Sequence, residues 1–235
     1  MILFSRGGSR EVEFGLMATR AKHFGTCGLC KQRFDKAGMT RHLKTCVPAH
    51  DAATAPRTLV WIRVEGFGPY WLDLEVAGSS TLAPVDRFLR DIWLECCGHL
   101  SAFTIEGERY ESAPDEEYGE GESLASGRIE RVFGVPGLKA DYAYDFGSTT
   151  ELELKVVGVR IGSGGRARGA VRLLARNEAP EANCVVCGQP ATVICTAEGE
   201  EYLCKTHEPS HKCGFVEGHL PVVNSPRCGV CGYTG

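Results

Sequence analysis

The stretch Thr58-Leu-Val-Trp-Ile-Arg-Val64, followed by Glu65-Gly-Phe-Gly-Pro69 and Tyr70-Trp-Leu-Asp-Leu-Glu-Val76, decides the fold class. Apolar and polar residues alternate on both sides of a turn rich in Gly and Pro. A period of two sends successive side chains to opposite faces, so each flank reads as a strand and the pair as a hairpin. The period then changes. After Ser80 or Thr81, either of which can cap a helix, Val85, Phe88, Leu89, Ile92, Trp93 and Cys96 recur at spacings of three and four. Asp86, Arg87, Arg90 and Asp91 fall opposite, and Gly98 ends the pattern. Residues 102–110, 128–133, 142–146, 151–159 and 170–175 read as further strands. One main helix against about five or six mostly antiparallel strands predicts an α+β domain over residues 58–176 with a two-layer core.

Outside that domain the cysteines carry the information, 12 of them in 235 residues. Near the start stand Cys27-Gly-Leu-Cys30 and, after eleven residues, His42 and Cys46. A CxxC turn aims two thiolates at one point, and a second pair closes a tetrahedron around a metal. The spacing predicts a ββα zinc finger over residues 23–50, with Met39, His42, Leu43 and Cys46 on the inward face of its helix and Phe34 beneath. So small a module cannot bury enough surface alone, so its folding leans on the metal. Residues 1–22 read as a flexible N-terminus and 51–57 as a linker.

Near the end, Cys184-Val-Val-Cys187 and Cys204-Lys-Thr-His207 form a second four-ligand set in a zinc-ribbon-like module over residues 177–235. Residues 192–195 and 201–203 supply its short hairpin. The third set is assigned to His211, Cys213, Cys228 and Cys231, with His219 and Cys195 as alternative members. Three closed sets imply about three zinc ions. Cys96, on the apolar helix face, reads as a buried small hydrophobe; Cys97 has no assigned role.

Hydrophobic content of 43% and charged content of 24% are those of an ordinary globular protein. The net charge of −4 gives no general attraction to phosphate, so nucleic-acid contact requires a local patch. The finger offers one in Lys31, Arg33, Lys36, Arg41 and Lys44. Arg41 and Lys44 flank the ligand His42 and are the expected phosphate contacts. No apolar run approaches the roughly 18 residues of a membrane span, and thiols kept free for metal point to a reducing compartment, the cytoplasm. The acidic stretch 112–127 reads as a solvated loop, and residues 162–169 with Arg160, Arg166 and Arg168 as a hairpin loop.

The helix Phe88-Leu-Arg-Asp-Ile-Trp-Leu-Glu95, the segment Gly98-His-Leu-Ser-Ala-Phe103, the motif Tyr142-Ala-Tyr-Asp-Phe-Gly147 and the alternation 151–157 resemble the plasmid pRiA open-reading-frame-three-like family. So do the closing Leu220-Pro-Val-Val-Asn-Ser-Pro-Arg227 and Gly229-Val-Cys-Gly-Tyr233, and together these span most of residues 58–235. Ser148-Thr149-Thr150 departs from the family's Asp-x-Trp. The resemblance implies an α+β core and no particular chemistry.

His99 and Asp145, with Glu106, are the polar residues at motif positions, and an Asp–His pair can do acid–base work. No nucleophile accompanies them, and each proposed metal site is closed by four ligands. The sequence therefore predicts a zinc-binding interaction or adaptor protein with a protein partner. Its alternative is a nucleic-acid-binding protein linked to mobile elements, reaching DNA or RNA through the finger. A hydrolase-like enzyme using His99 and Asp145 ranks third.

Overall fold

The computed structural model describes residues 23–114, 121–165, 169–197, 199–214 and 218–235. The N-terminus over 1–22, Asp115, Glu116, Glu117 and Glu120 of the acidic loop, and Arg166 and Arg168 of the hairpin loop lie outside them.

A ten-stranded sheet runs through the finger and the predicted core alike. Its strands are β1 (Phe24–Cys27), β2 (Arg33–Asp35), β3 (Arg57–Gly66), β4 (Trp71–Ala77), β5 (Ser101–Ile105), β6 (Glu108–Glu111), β7 (Glu122–Ser123), β8 (Lys139–Tyr144), β9 (Thr150–Gly162) and β10 (Val171–Asn177). They lie in the order β2-β1-β10-β4-β3-β9-β8-β5-β6-β7. Every pair is antiparallel except β6 with β7. With few helices against it, the architecture is the expected α+β one.

The alternation of the opening hairpin sorts side chains as predicted, but both faces are used. Val60, Ile62, Val64, Leu72, Leu74 and Val76 join Leu152, Leu154 and Val156 of β9 in the main core. That core is closed by α2 (Leu82–Leu89), a π-helical turn (Arg90–Leu94) and α3 (Ile129–Val132). On the opposite face, α1 (Lys36–Ala49) lays Met39, Leu43 and Val47 against Trp71, Leu174 and Ala175. Strand β4 is consequently buried at every position. Its two carboxylates must then be paired. Arg63 forks onto Asp73 (Nε–Oδ1 3.1 Å, Nη2–Oδ2 2.6 Å), with Trp61 Nε1 donating to the same carboxylate. Arg160 bridges Glu75 and Asp51.

Five local expectations change. The single helix becomes α2 plus a π turn, in which the Glu95 amide reaches back to the Arg90 carbonyl. The wider turn buries both Trp93 and Leu94. Asp86 is not on a solvated face: it is buried, accepting from Ser101, Tyr142 and Arg90. Residues 128–133 contain α3 rather than a strand, because Ile129, Val132 and Phe133 meet the core at helical spacing. Residues 102–110 are two strands, turning at Glu106 and Gly107, both with positive φ. The linker is not loose either, since Asp51 is held by Arg160 and the Ser163 amide. Among the described residues no helix is long and apolar enough to cross a membrane.

The finger joins the sheet where β1 pairs with β10, Gly25 opposite Asn177. A Cβ on Gly25 would overlap the Trp71 ring and stand 2.5 Å from the Arg176 carbonyl oxygen. Gly158, on β9, has nothing within 4 Å of such a carbon. Gly25→Ala should therefore destabilise the protein by about 1–3 kcal/mol, while Gly158→Ala stays within roughly 0.5 kcal/mol. Denaturant unfolding of the two variants side by side checks this, and equal effects would refute the close packing.

Candidate metal centres

A tetrahedral zinc-like ion with sulfur at about 2.3 Å and nitrogen at about 2.0 Å requires S···S edges of about 3.8 Å and S···N edges of about 3.5 Å. Four groups of Cys and His side chains come together on this scale, each with all its donor atoms within 4.8 Å of one another. No described cysteine is in a disulfide.

The finger centre gathers Cys27, Cys30, His42 and Cys46, the set the spacing predicts. Cys27 ends β1, Cys30 follows in the turn, and His42 and Cys46 lie one helical turn apart on α1. Asp35 caps that helix by accepting from the Gly38 amide. Cys27 Sγ and Cys46 Sγ stand 3.8 Å apart, and Cys30 Sγ is 3.2 Å from His42 Nε2. The Phe34 ring stacks on His42 at 4.3 Å and fixes its plane. Burial, together with the Cys27 and Cys30 thiols beside it, pushes the Cys46 thiol up to about 12.

The ribbon is built on β11 (Val193–Cys195), β12 (Glu201–Leu203) and β13 (His219–Pro221), in the order β12-β11-β13. Its first centre holds Cys184, Cys187, Cys204 and His207, again as predicted. Cys187 Sγ and Cys204 Sγ are 3.8 Å apart, and His207 Nδ1 is 3.5 Å from Cys184 Sγ and 3.4 Å from Cys204 Sγ. Burial raises the Cys184 thiol, but the backbone N–H groups of Cys204, Val186 and Cys187, with His207, outweigh it and bring the thiol to about 6. Amides aimed at sulfur favour a bound thiolate.

The third centre corrects the sequence assignment. His211 and Cys213 meet Cys195 and His219, not Cys228 and Cys231. Strand pairing is the cause: β11 lies against β13 with Cys195 directly opposite His219. Cys213 Sγ is 3.3 Å from His219 Nε2, and the two His rings are 5.6 Å apart. His219 Nδ1 stands 3.6 Å from Glu208 Oε1 and His211 Nε2 3.6 Å from Glu201 Oε2, so each ring has a carboxylate nearby.

The fourth centre is the one sequence reasoning missed. Cys96, Cys97 and His99, just after the π turn, meet Cys231 from the chain's closing segment. Cys97 Sγ lies 3.6 Å from Cys96 Sγ, 3.9 Å from Cys231 Sγ and 2.9 Å from His99 Nε2, which is 3.3 Å from Cys231 Sγ. Cys96 is thus a cluster member, half-buried, rather than a plain core residue. Behind His99, Asp145 Oδ1 stands 3.5 Å from Nδ1. The other oxygen, Asp145 Oδ2, accepts from the fully buried Arg227 at 2.6 Å, which holds the Asp145 carboxyl down at about 2. The Asp–His pair noted in the sequence therefore exists, but the far nitrogen of the ring faces sulfur. Among the described residues Cys228 joins no cluster: its sulfur accepts from the Val223 amide at 3.5 Å and faces the Pro221 carbonyl.

Each centre gathers four Cys and His donors, the number that a structural metal site uses. The four clusters fit metal binding. Elemental analysis of the purified protein should give four metal ions per chain. Cys231→Ser and Cys195→Ser should each lose about one ion, whereas Cys228→Ser keeps them all. Loss of an ion with Cys228→Ser would restore the assignment made from spacing.

No family model matches the chain, and no curated protein matches it. Among solved structures, the crystal structure of a protein of unknown function from Methanosarcina mazei Go1 aligns with 15% identity, over 52% of this chain and 68% of that one. Its TM-score of 0.40 is too low to carry an argument about fold or function.

Proposed function

We propose that the protein is a zinc-binding interaction module, an adaptor whose partner is another protein in the cytoplasm. The observation that carries this reading is the closure of all four centres by Cys and His alone. Thiolate-rich tetrahedral sets select zinc among the available divalent ions, and a closed zinc organises a surface without performing chemistry. The surface so organised carries exposed apolar side chains. Phe67, at the tip of the β3–β4 hairpin, is 95% exposed, and Val185 and Val186 stand out from the ribbon's first CxxC turn. Exposed apolar side chains on rigid turns are anchors for a protein partner.

Replacing zinc by cobalt(II) tests the closure. The thiolate-to-cobalt spectrum should be that of tetrahedral sites and stay unchanged when azide or cyanide is added. A spectral shift would reveal an open position and return the reading to an enzyme built on His99 and Asp145.

A second reading, nucleic-acid binding through the finger, has one observation in its favour. Arg41 and Lys44 are exposed on α1 and, among the described residues, form no ion pair, while His42 points inward. If the finger docks on phosphate, replacing both by Ala should weaken binding about equally for all sequences. It should also lower the slope of log K against log salt by roughly 2. Titrations of labelled DNA and RNA over a range of salt concentrations read this directly. Absence of salt-sensitive binding at low ionic strength leaves the protein-partner reading standing.

A further inference from the structure

The four centres differ in what shields their sulfurs. The finger buries Cys27 (0% exposed) and the ribbon buries Cys184 and Cys195 (2% and 1%). The fourth centre has no buried cysteine: Cys97 and Cys231 are exposed and Cys96 is half-buried. Water and small oxidants reach its thiolates directly, and reactivity of a thiolate follows access.

This centre also differs in what would happen without its ion. The closing segment is anchored independently of metal. Ser225 Oγ donates to the Trp93 carbonyl at 2.6 Å, and Arg227 donates to Asp145, the Ser148 carbonyl and Thr150 Oγ1. Tyr233, beyond the ligand Cys231, is buried as well. Loss of the metal here leaves Cys97 and Cys231 still facing each other, 3.9 Å apart in sequence positions far removed from one another. The finger is anchored too, by α1 packed on Trp71, Leu174 and Ala175, but its Cys27 and Cys46 lie inside that packing; the ribbon's ligands stand on strands of three residues.

We propose that the Cys96–Cys97–His99–Cys231 centre is a peroxide-reactive metal site, in which oxidation joins Cys97 to Cys231 and releases the ion. This rests on the reading of the clusters as zinc centres. The exposed Cys97 thiolate attacks hydrogen peroxide: an S–O bond forms, the O–O bond breaks, and hydroxide leaves to be protonated to water. The Cys231 thiolate then attacks the sulfenic sulfur: an S–S bond forms, the S–O bond breaks, and a second hydroxide leaves as water. Two electrons pass from the sulfurs to the peroxide oxygens. Cys96 and His99 alone are too few ligands to hold the ion.

Cys96 is not the bonding partner. A disulfide needs Cα atoms about 4.4–6.8 Å apart, and neighbouring residues offer about 3.8 Å across a trans peptide. Cys96 Sγ also accepts from Arg227 Nη2 at 3.5 Å. Cys231, at positive φ, is presented from another segment and has no such restriction.

The test treats the full-length metal-loaded protein with one equivalent of hydrogen peroxide in the presence of a chromogenic chelator. One ion of the four should be released, and a non-reduced peptide map should show Cys97 bridged to Cys231. Dithiothreitol and added zinc should restore the starting content. Cys97→Ser and Cys231→Ser should each start about one ion short and release nothing on the same timescale. First release from the finger or ribbon, a bridge between other cysteines, or retention of all four ions would overturn the proposal. A wild-type protein that holds three ions, unchanged by Cys97→Ser, would instead show that the fourth cluster takes no metal, and the four-centre reading would fail before any oxidation.

Discussion

Sulfur atoms of different cysteines stand 3.6–3.9 Å apart in the finger, the first ribbon centre and the fourth centre. Two thiolates at such a distance repel by about 1 kcal/mol even in bulk water, and by more where solvent is scarce. The neighbouring thiols accordingly hold Cys97 up at about 11, the Cys96 contact first among them. A divalent cation converts each set from mutually repelling groups into a cross-link. The ribbon would gain most from that conversion, since its three strands have three residues each. Short strands of this kind gain little from their own packing.

The clusters do not sit in free-standing modules, however. Through β1 and β10 the finger extends the sheet of the central domain, and α1 covers the face of β4 that the core helices leave open. A single sheet thus has its two faces sealed by elements from different parts of the chain. Removing the finger would expose Trp71, Leu174 and Ala175 along with the charged pairs beneath. That burial explains why the helix of the finger offers only its outer residues, Arg41 and Lys44 among them, to any partner.

Legibility in the sequence tracked the distance over which a pattern acts. The hairpin 58–76, the ββα finger and the first ribbon set were readable because each is fixed by residues close together, through period two or through CxxC spacing. The third centre was half readable: its four members were all candidates, but Cys195 and His219 displace Cys228 and Cys231 only through the pairing of β11 with β13. The fourth was invisible, since Cys97 and Cys231 are 134 positions apart and adjacent cysteines have no ligand spacing of their own. Cys228 misled in the opposite direction. It has the CxxC spacing to Cys231, yet Gly229 and Cys231 both adopt positive φ and turn the two sulfurs to different neighbours.

The Tyr-Asp-Phe-Gly motif shows how one pair of side chains supports two chemistries until its surroundings are known. His99 beside Asp145 is the beginning of an acid–base dyad, and a cysteine 2.9 Å from the far ring nitrogen would complete the outline of a thiol nucleophile. Three sulfurs converge there rather than one, so the dyad has no single thiolate set apart for an organic substrate. Under the proposed metal reading, Asp145 stands not as a partner in proton transfer but where a carboxylate would orient a ligand imidazole. Arg227 completes the change: fully buried against the carboxylate, it keeps Asp145 ionised and ties the closing segment to β9 through Thr150. The same buried ion pair that orients the ligand His99 therefore also delivers Cys231 to it, so the polar motif of the core and the cysteine of the tail are parts of one construction.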